Sequence, residues 1–136
     1  MTSQIIYKGD LRTEATHIRS GTLIETDAPT DNQGKGEKFS PTDLLATSLG
    51  NCMMTIMGIK ARDMKVDLAC TVIDITKIMK ENPRRVSGIH VDFHFPENRE
   101  FDDKQKIILE NAALTCPVAQ SIHPDIELKV KFGWKE

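Results

Sequence analysis

The chain has 136 residues, of which 39% are hydrophobic and 28% are charged, a balance typical of a globular protein. Its 18 basic and 20 acidic side chains give a formal net charge of −2, without the basic face that nucleic acid requires or a polybasic cluster for an anionic membrane. We therefore expect neither nucleic acid nor a membrane as a partner. The length predicts a single domain over residues 1–136.

The N-terminal segment lacks the basic start, the apolar run and the small-residue cleavage site of a signal peptide. No stretch reaches the roughly 18 consecutive apolar residues that indicate a membrane span. Three cysteines without an export signal predict a cytoplasmic location. In that reducing compartment, cysteines are more often free, catalytic or metal-bound than joined in structural disulfides.

The N-terminal half is predicted to form strands over residues 5–10 and 13–26, with a hairpin turn at Gly21. Residues 27–38 are rich in turn formers and predict a loop. Ser40 as N-cap, Pro41 at the first helical position and Asp43 three residues after the cap predict the start of a helix that ends near Ala61. This helix is apolar almost all round, so we expect it to be central, with a sheet on one side. In a chain this small, a second subunit could cover its other side.

The C-terminal half is predicted to begin with two long strands, 66–79 and 84–95, joined by a hairpin at 81–83. A helix over 101–115 follows, and Pro117 can open a short helix that ends near Ile122. Alternating apolar residues over 126–132 predict a last strand. This order of elements predicts an α+β fold with a mainly antiparallel sheet.

Two of the cysteines lie on predicted helices. Cys52 alone, in the most apolar part of the chain, would be interpreted as a buried and inert core thiol. Cys116 directly precedes Pro117, so it can cap the short helix, where unpaired N–H groups favour a thiolate. Two packed helices could bring the sulfurs together, and a disulfide would need Cα atoms no more than about 7 Å apart.

Several short motifs resemble, in order and at similar spacing, those of the OsmC/Ohr family of osmotically induced protein C and organic hydroperoxide resistance proteins. They cover essentially the whole chain: Gly9-Asp10-Leu11-Arg12, Gly36-Glu37, Ser40-Pro41-Thr42-Asp43-Leu44-Leu45, Leu49-Gly50-Asn51-Cys52 and Cys116-Pro117-Val118. The resemblance implies an OsmC-like fold, with mainly antiparallel sheets around two central helices. It also implies an intertwined homodimer with active sites at the subunit interface.

The resemblance implies a thiol-dependent peroxidase, in which Cys52 attacks the peroxide and Cys116 resolves the resulting sulfenic acid as a disulfide. The implied substrate is an organic hydroperoxide, with hydrogen peroxide a poorer one. The implied reductant is an external dithiol such as dihydrolipoamide or a lipoyl protein, with no bound cofactor and no metal. The alternative is a catalytically weak small-molecule or partner-binding protein that has kept redox-sensitive cysteines.

The resemblance also implies an arginine from the N-terminal strands, oriented by a carboxylate. Arg12 matches by its place after Gly9-Asp10, and Arg19 is the second candidate. Hydroperoxide resistance members carry Glu directly after the helix proline, where this chain has Thr42. Asp43 and Glu37 are therefore the candidate orienting carboxylates, and the departure at Thr42 motivates the binding-protein alternative.

Other chemically capable residues have simpler interpretations. Cys70 lies in a predicted strand and is expected to be a buried structural thiol. His90, Asp92 and His94 share one strand face, but a solvated sheet face is favoured over a metal site there. His17 is a weaker candidate for the site near the arginine.

Overall fold

The structure, a computed structural model, describes residues 1–135 and has the α+β composition that the sequence predicts. The chain forms two compact units, Met1–Leu45 and a second that begins at Ala46. The elements are β1 (Ser3–Gly9), β2 (Arg12–His17), β3 (Leu23–Asp27), α1 (Pro41–Asp63), β4 (Val72–Lys80), β5 (Arg85–His94), α2 (Asp103–Leu114), α3 (Pro117–Ser121) and β6 (Glu127–Gly133).

The first unit contains an antiparallel sheet in the order β1-β2-β3. Its register aligns Ile5 with Ala15 and Ala15 with Ile24, so these side chains share one face. At the end of the β2–β3 hairpin, Arg12 stands opposite Asp27. The predicted loop after β3 contains one 3₁₀ turn, Thr30–Asn32, before the chain enters α1.

Helix α1 begins as the sequence predicts, with a reciprocal cap. The Ser40 Oγ accepts from the Asp43 N–H at 3.0 Å, and an Asp43 carboxylate oxygen accepts from the Ser40 N–H at 2.9 Å. By length and composition alone, α1 could cross a bilayer, a test that core helices of globular proteins also pass. Its buried side is made of Ala46, Leu49, Gly50, Met53, Met57 and Ala61.

The second unit contains a sheet in which β5 is central, antiparallel to β4 and parallel to β6. The parallel pair follows from the chain order, because α2 and α3 lie between β5 and β6 and can carry the chain back across the sheet. The core combines buried residues of α1, α2 and this sheet, with Leu49, Met53, Ile89, Val91 and Leu109 each 0% exposed.

The prediction of a strand from Val66 is wrong, because β4 begins only at Val72. Helix α1 continues to Asp63, and the chain then turns through Lys65 and Cys70, which have positive φ angles of 57° and 70°. Such left-handed residues do not belong to a strand. Cys70 is accordingly exposed, and its predicted role as a buried structural thiol is also wrong.

Two helical glycines of α1 give matched stability predictions. At Gly58 an added Cβ would meet nothing within 4 Å, so Gly58→Ala should raise the free energy of unfolding by about 0.5–1 kcal/mol. At buried Gly50 the Cβ would lie 2.7 Å from Ile75 Cδ1, and overpacking costs about 1–3 kcal/mol. Gly50→Ala should therefore be the less stable variant in urea unfolding, and a gain equal to that of Gly58→Ala would contradict the packing described.

Candidate functional site

The two helical cysteines are neighbours in the second unit. The Cys52 side chain is close enough to raise the pKa of Cys116, and both are free thiols. Each sulfur also accepts a backbone N–H from α3: Val118 donates to Cys52 Sγ and Ala119 donates to Cys116 Sγ, both at 3.5 Å. The structure therefore brings together the two thiols that the sequence singled out.

Local sequence explains how each sulfur reaches this position. Cys52 precedes the fully buried Met53 on α1, so it lies at the edge of the buried side and is itself half-buried. Helix α2 ends at Leu114, and Cys116 adopts an extended conformation with φ −65° and ψ 156°. Because the residue before a proline avoids the helical region, Pro117 favours this break. Cys116 is the N-cap of α3, as the sequence predicted.

The two sulfurs have different surroundings. Cys116 is 0% exposed, and burial raises the pKa of its thiol. The Ala119 N–H acts in the opposite direction, while the neighbouring Cys52 side chain raises the pKa of Cys116 further. Cys116 is therefore held as a neutral thiol, and Cys52 is the sulfur with access to solvent.

In the first unit, the Arg12 guanidinium is hydrogen-bonded to two carboxylates, those of Asp27 and Glu37. Its Nε lies 2.7 Å from Asp27 Oδ1 and its Nη2 lies 2.8 Å from Asp27 Oδ2, a bidentate pair. The same Nη2 donates to Glu37 Oε2 at 3.2 Å. The hydrogen bond from Arg12 lowers the pKa of the Asp27 carboxyl, which is only 1% exposed, and the same contacts raise the pKa of Arg12.

The two candidate orienting carboxylates, Glu37 and Asp43, make different contacts. Glu37 binds Arg12, as a candidate orienting residue should, whereas Asp43 takes part in the cap with Ser40. The principal partner of Arg12 is Asp27, which the sequence analysis missed. The predicted β2–β3 hairpin could have indicated this ion pair, because extending the pairing of residues 13 and 26 by one step places residue 27 opposite residue 12. Arg19 lies exposed in the hairpin turn.

The remaining candidates make local contacts. His94 Nε2 lies 2.9 Å from Asp74 Oδ2 on the exposed side of the second sheet. His17 Nδ1 lies 2.6 Å from the Ser20 Oγ. Within residues 1–135, no three His, Cys, Asp or Glu side chains are grouped closely enough to hold a metal ion.

The Arg12–Asp27 pair predicts a specific acid sensitivity. Because folding lowers the pKa of Asp27, its contribution to stability is present above the unfolded value near pH 3.9 and is lost as pH falls through the folded value. Asp27→Asn should therefore lower stability at neutral pH and flatten the loss of stability below about pH 4. Urea unfolding at a series of pH values measures both effects. The exposed Asp10→Asn is the control, and an equal change in that variant would contradict the assignment.

The model of the OsmC-like protein family matches residues 34–131. A crystal structure from Psychrobacter arcticus, described as a candidate osmotic stress induced and detoxification response protein, is 61% identical. It superposes with a TM-score of 0.93 over 97% of this chain and 95% of that chain. No curated protein matches the chain in sequence.

Two more distant structures share the fold. An organic hydroperoxide resistance protein OsmC from Legionella pneumophila is 14% identical, with a TM-score of 0.72 over 98% of each chain. An organic hydroperoxide resistance protein from Elizabethkingia anophelis is 15% identical, with a TM-score of 0.66 over 99% of this chain and 97% of that chain. With the family match over most of its length and the 61% identical structure, the chain belongs to the OsmC-like family.

Proposed function

We propose that the protein is a thiol-dependent peroxidase that reduces organic hydroperoxides and, less well, hydrogen peroxide. The observation that carries the proposal is the pair of adjacent free thiols, one half-buried on α1 and one buried at the start of α3. The names of the Legionella and Elizabethkingia proteins, both organic hydroperoxide resistance proteins, support the same substrate class. A cytoplasmic location is part of the proposal, because thiols that must return to the reduced state suit a reducing compartment.

In the first step, the Cys52 thiolate attacks the terminal oxygen of the hydroperoxide. A new S–O bond forms, the O–O bond breaks, and the leaving alkoxide takes up a proton to become an alcohol. Cys52 is thereby oxidised to a sulfenic acid. Cys52 is the better nucleophile of the pair because burial keeps Cys116 protonated.

In the second step, the Cys116 sulfur attacks the Cys52 sulfenic acid, an S–S bond forms and water leaves. The contact between the two side chains supports a direct condensation. An external dithiol, such as dihydrolipoamide or a lipoyl protein, then reduces the disulfide and is itself oxidised to a disulfide. Both protein thiols are restored without a bound cofactor.

For Arg12 we propose the role that the family resemblance implies, stabilising the thiolate and the charge on the leaving oxygen. Asp27 and Glu37 use Nε and Nη2 of the guanidinium, while Nη1 has no partner among residues 1–135. Two N–H groups on Nη1 are therefore available to an oxygen ligand. The bidentate contact with Asp27 fixes the plane of the Arg12 guanidinium. We therefore propose that Asp27 is the main residue that orients Arg12 and that Glu37 helps to orient it.

We further propose that the protein acts as an intertwined homodimer. One face of the β1–β3 sheet carries Ile5, Tyr7 and Ile24, which are 66%, 62% and 50% exposed in the single chain. An apolar face of this kind usually meets another protein surface. The family resemblance implies that a second copy of the chain covers this face. Sedimentation or light scattering measures the resulting dimer mass.

The thiol pair predicts a defined covalent change. One equivalent of cumene hydroperoxide should lower the protein mass by two hydrogens, because a disulfide forms between Cys52 and Cys116. Peptide mass spectrometry locates that disulfide. Cys52→Ser should abolish peroxide consumption in the presence of dihydrolipoamide. The exposed Cys70→Ser is the matched control and should keep full turnover.

The same measurement separates the peroxidase from the alternative function. Two persistently free thiols after hydroperoxide addition would support a binding protein with an inactive site. Unchanged peroxide consumption by Cys52→Ser would contradict the role of Cys52.

A second prediction concerns the arginine. Arg12→Lys keeps the charge but loses the planar fork, so turnover should fall about 100-fold, the effect of losing one oxyanion donor. Arg19→Lys is the matched variant and should leave turnover unchanged. The opposite pattern would transfer the proposed role from Arg12 to Arg19.

A further inference from the structure

The first turn of α3 delivers its free backbone donors to the two sulfurs. The first N–H groups of a helix have no partner inside the helix. Pro117 has no N–H, the Val118 N–H goes to Cys52 Sγ and the Ala119 N–H goes to Cys116 Sγ. The next N–H, of Gln120, returns to the Cys116 carbonyl oxygen at 3.1 Å and starts the helical pattern.

The position of these donors depends on the break between α2 and α3. Only Thr115 and Cys116 separate the two helices, and a chain without proline could continue as one helix through them. Pro117 prevents this, since its ring disfavours the helical conformation of Cys116, which is extended here. The Pro117 side chain itself is exposed, so its effect acts through the backbone rather than through packing.

We propose that Pro117 is a positioning residue for the thiol chemistry, because the break that it imposes aims the Val118 amide at Cys52 Sγ. The inference deepens the proposed peroxidase function and rests on it for its catalytic meaning. A hydrogen bond from an N–H group is stronger to an anion than to a neutral acceptor. The bond from the Val118 amide therefore strengthens when the Cys52 sulfur carries negative charge, as it does when it attacks a peroxide.

The test measures Cys52 reactivity without any peroxide. In a Cys70→Ser background, iodoacetamide labels Cys52 as its thiolate displaces iodide, and peptide mass spectrometry follows the rate across a pH series. Pro117→Ala should label about tenfold more slowly at neutral pH, the effect expected for a weakened bond to a charged group. Pro124→Ala, which alters another exposed proline of the same unit, should label at the parent rate.

A second variant isolates the amide. Because Cys116 is a natural ligation site, residues 1–115 can be joined to a synthetic C-terminal segment in which the ester analogue of valine replaces Val118. This protein keeps Pro117 and the valine side chain but lacks the N–H, and it should also label about tenfold more slowly than the ligated all-amide protein. It decides the role of the amide even where Pro117→Ala does not fold.

Labelling of Cys52 at the parent rate by the ester protein, or by folded Pro117→Ala, overturns the proposal. Slow labelling by both supports it, provided that the profile shifts to higher pH while the melting temperature stays close to that of Pro124→Ala. Peroxide turnover is assayed separately. A parent protein that consumes no peroxide contradicts the proposed function, whereas the labelling rates still decide whether Pro117 positions the amide.

Discussion

The packing of α1 against the second sheet is the constraint on which the thiol pair depends. Met53 is fully buried beside Cys52, which fixes the rotation of the helix and leaves Cys52 at the edge of the core. Gly50 lies close to Ile75, and its missing side chain lets helix and sheet approach each other. Val118 packs against the same core from α3. The two sulfurs are therefore held by the hydrophobic core rather than by their own weak contact.

The sequence predicted those parts of the site that are governed by local chemistry. The Ser40–Asp43 cap and the Cys116 N-cap follow from side chains that bond to backbone groups three residues away. Such signals are complete within a short segment, so they need no knowledge of the fold. That Cys52 and Cys116 meet is different, because a separation of more than sixty residues is closed only by tertiary packing.

The features that the sequence did not predict depend on distant partners. Asp27 was missed because its role comes from lying opposite Arg12, and a shift of one residue in a strand register changes every cross-strand partner. The parallel pairing of β6 with β5 is likewise a matter of topology, since alternation along β6 fits either direction. At Val66–Thr71, apolar residues gave a strand-like pattern to a turn that contributes Leu68 to the hydrophobic core.

The difference in burial between the sulfurs gives the proposed reaction an order. A fully buried Cys116 is shielded from peroxide, so oxidation begins at Cys52. Burial also raises the pKa of Cys116, which lowers its reactivity as a nucleophile but leaves it carrying a proton. When Cys116 attacks the sulfenic acid, the departing hydroxide needs a proton to leave as water. In the proposed reaction Cys116 attacks as the thiolate once its proton passes to the departing hydroxide, which leaves as water, so the resolving step needs no outside acid.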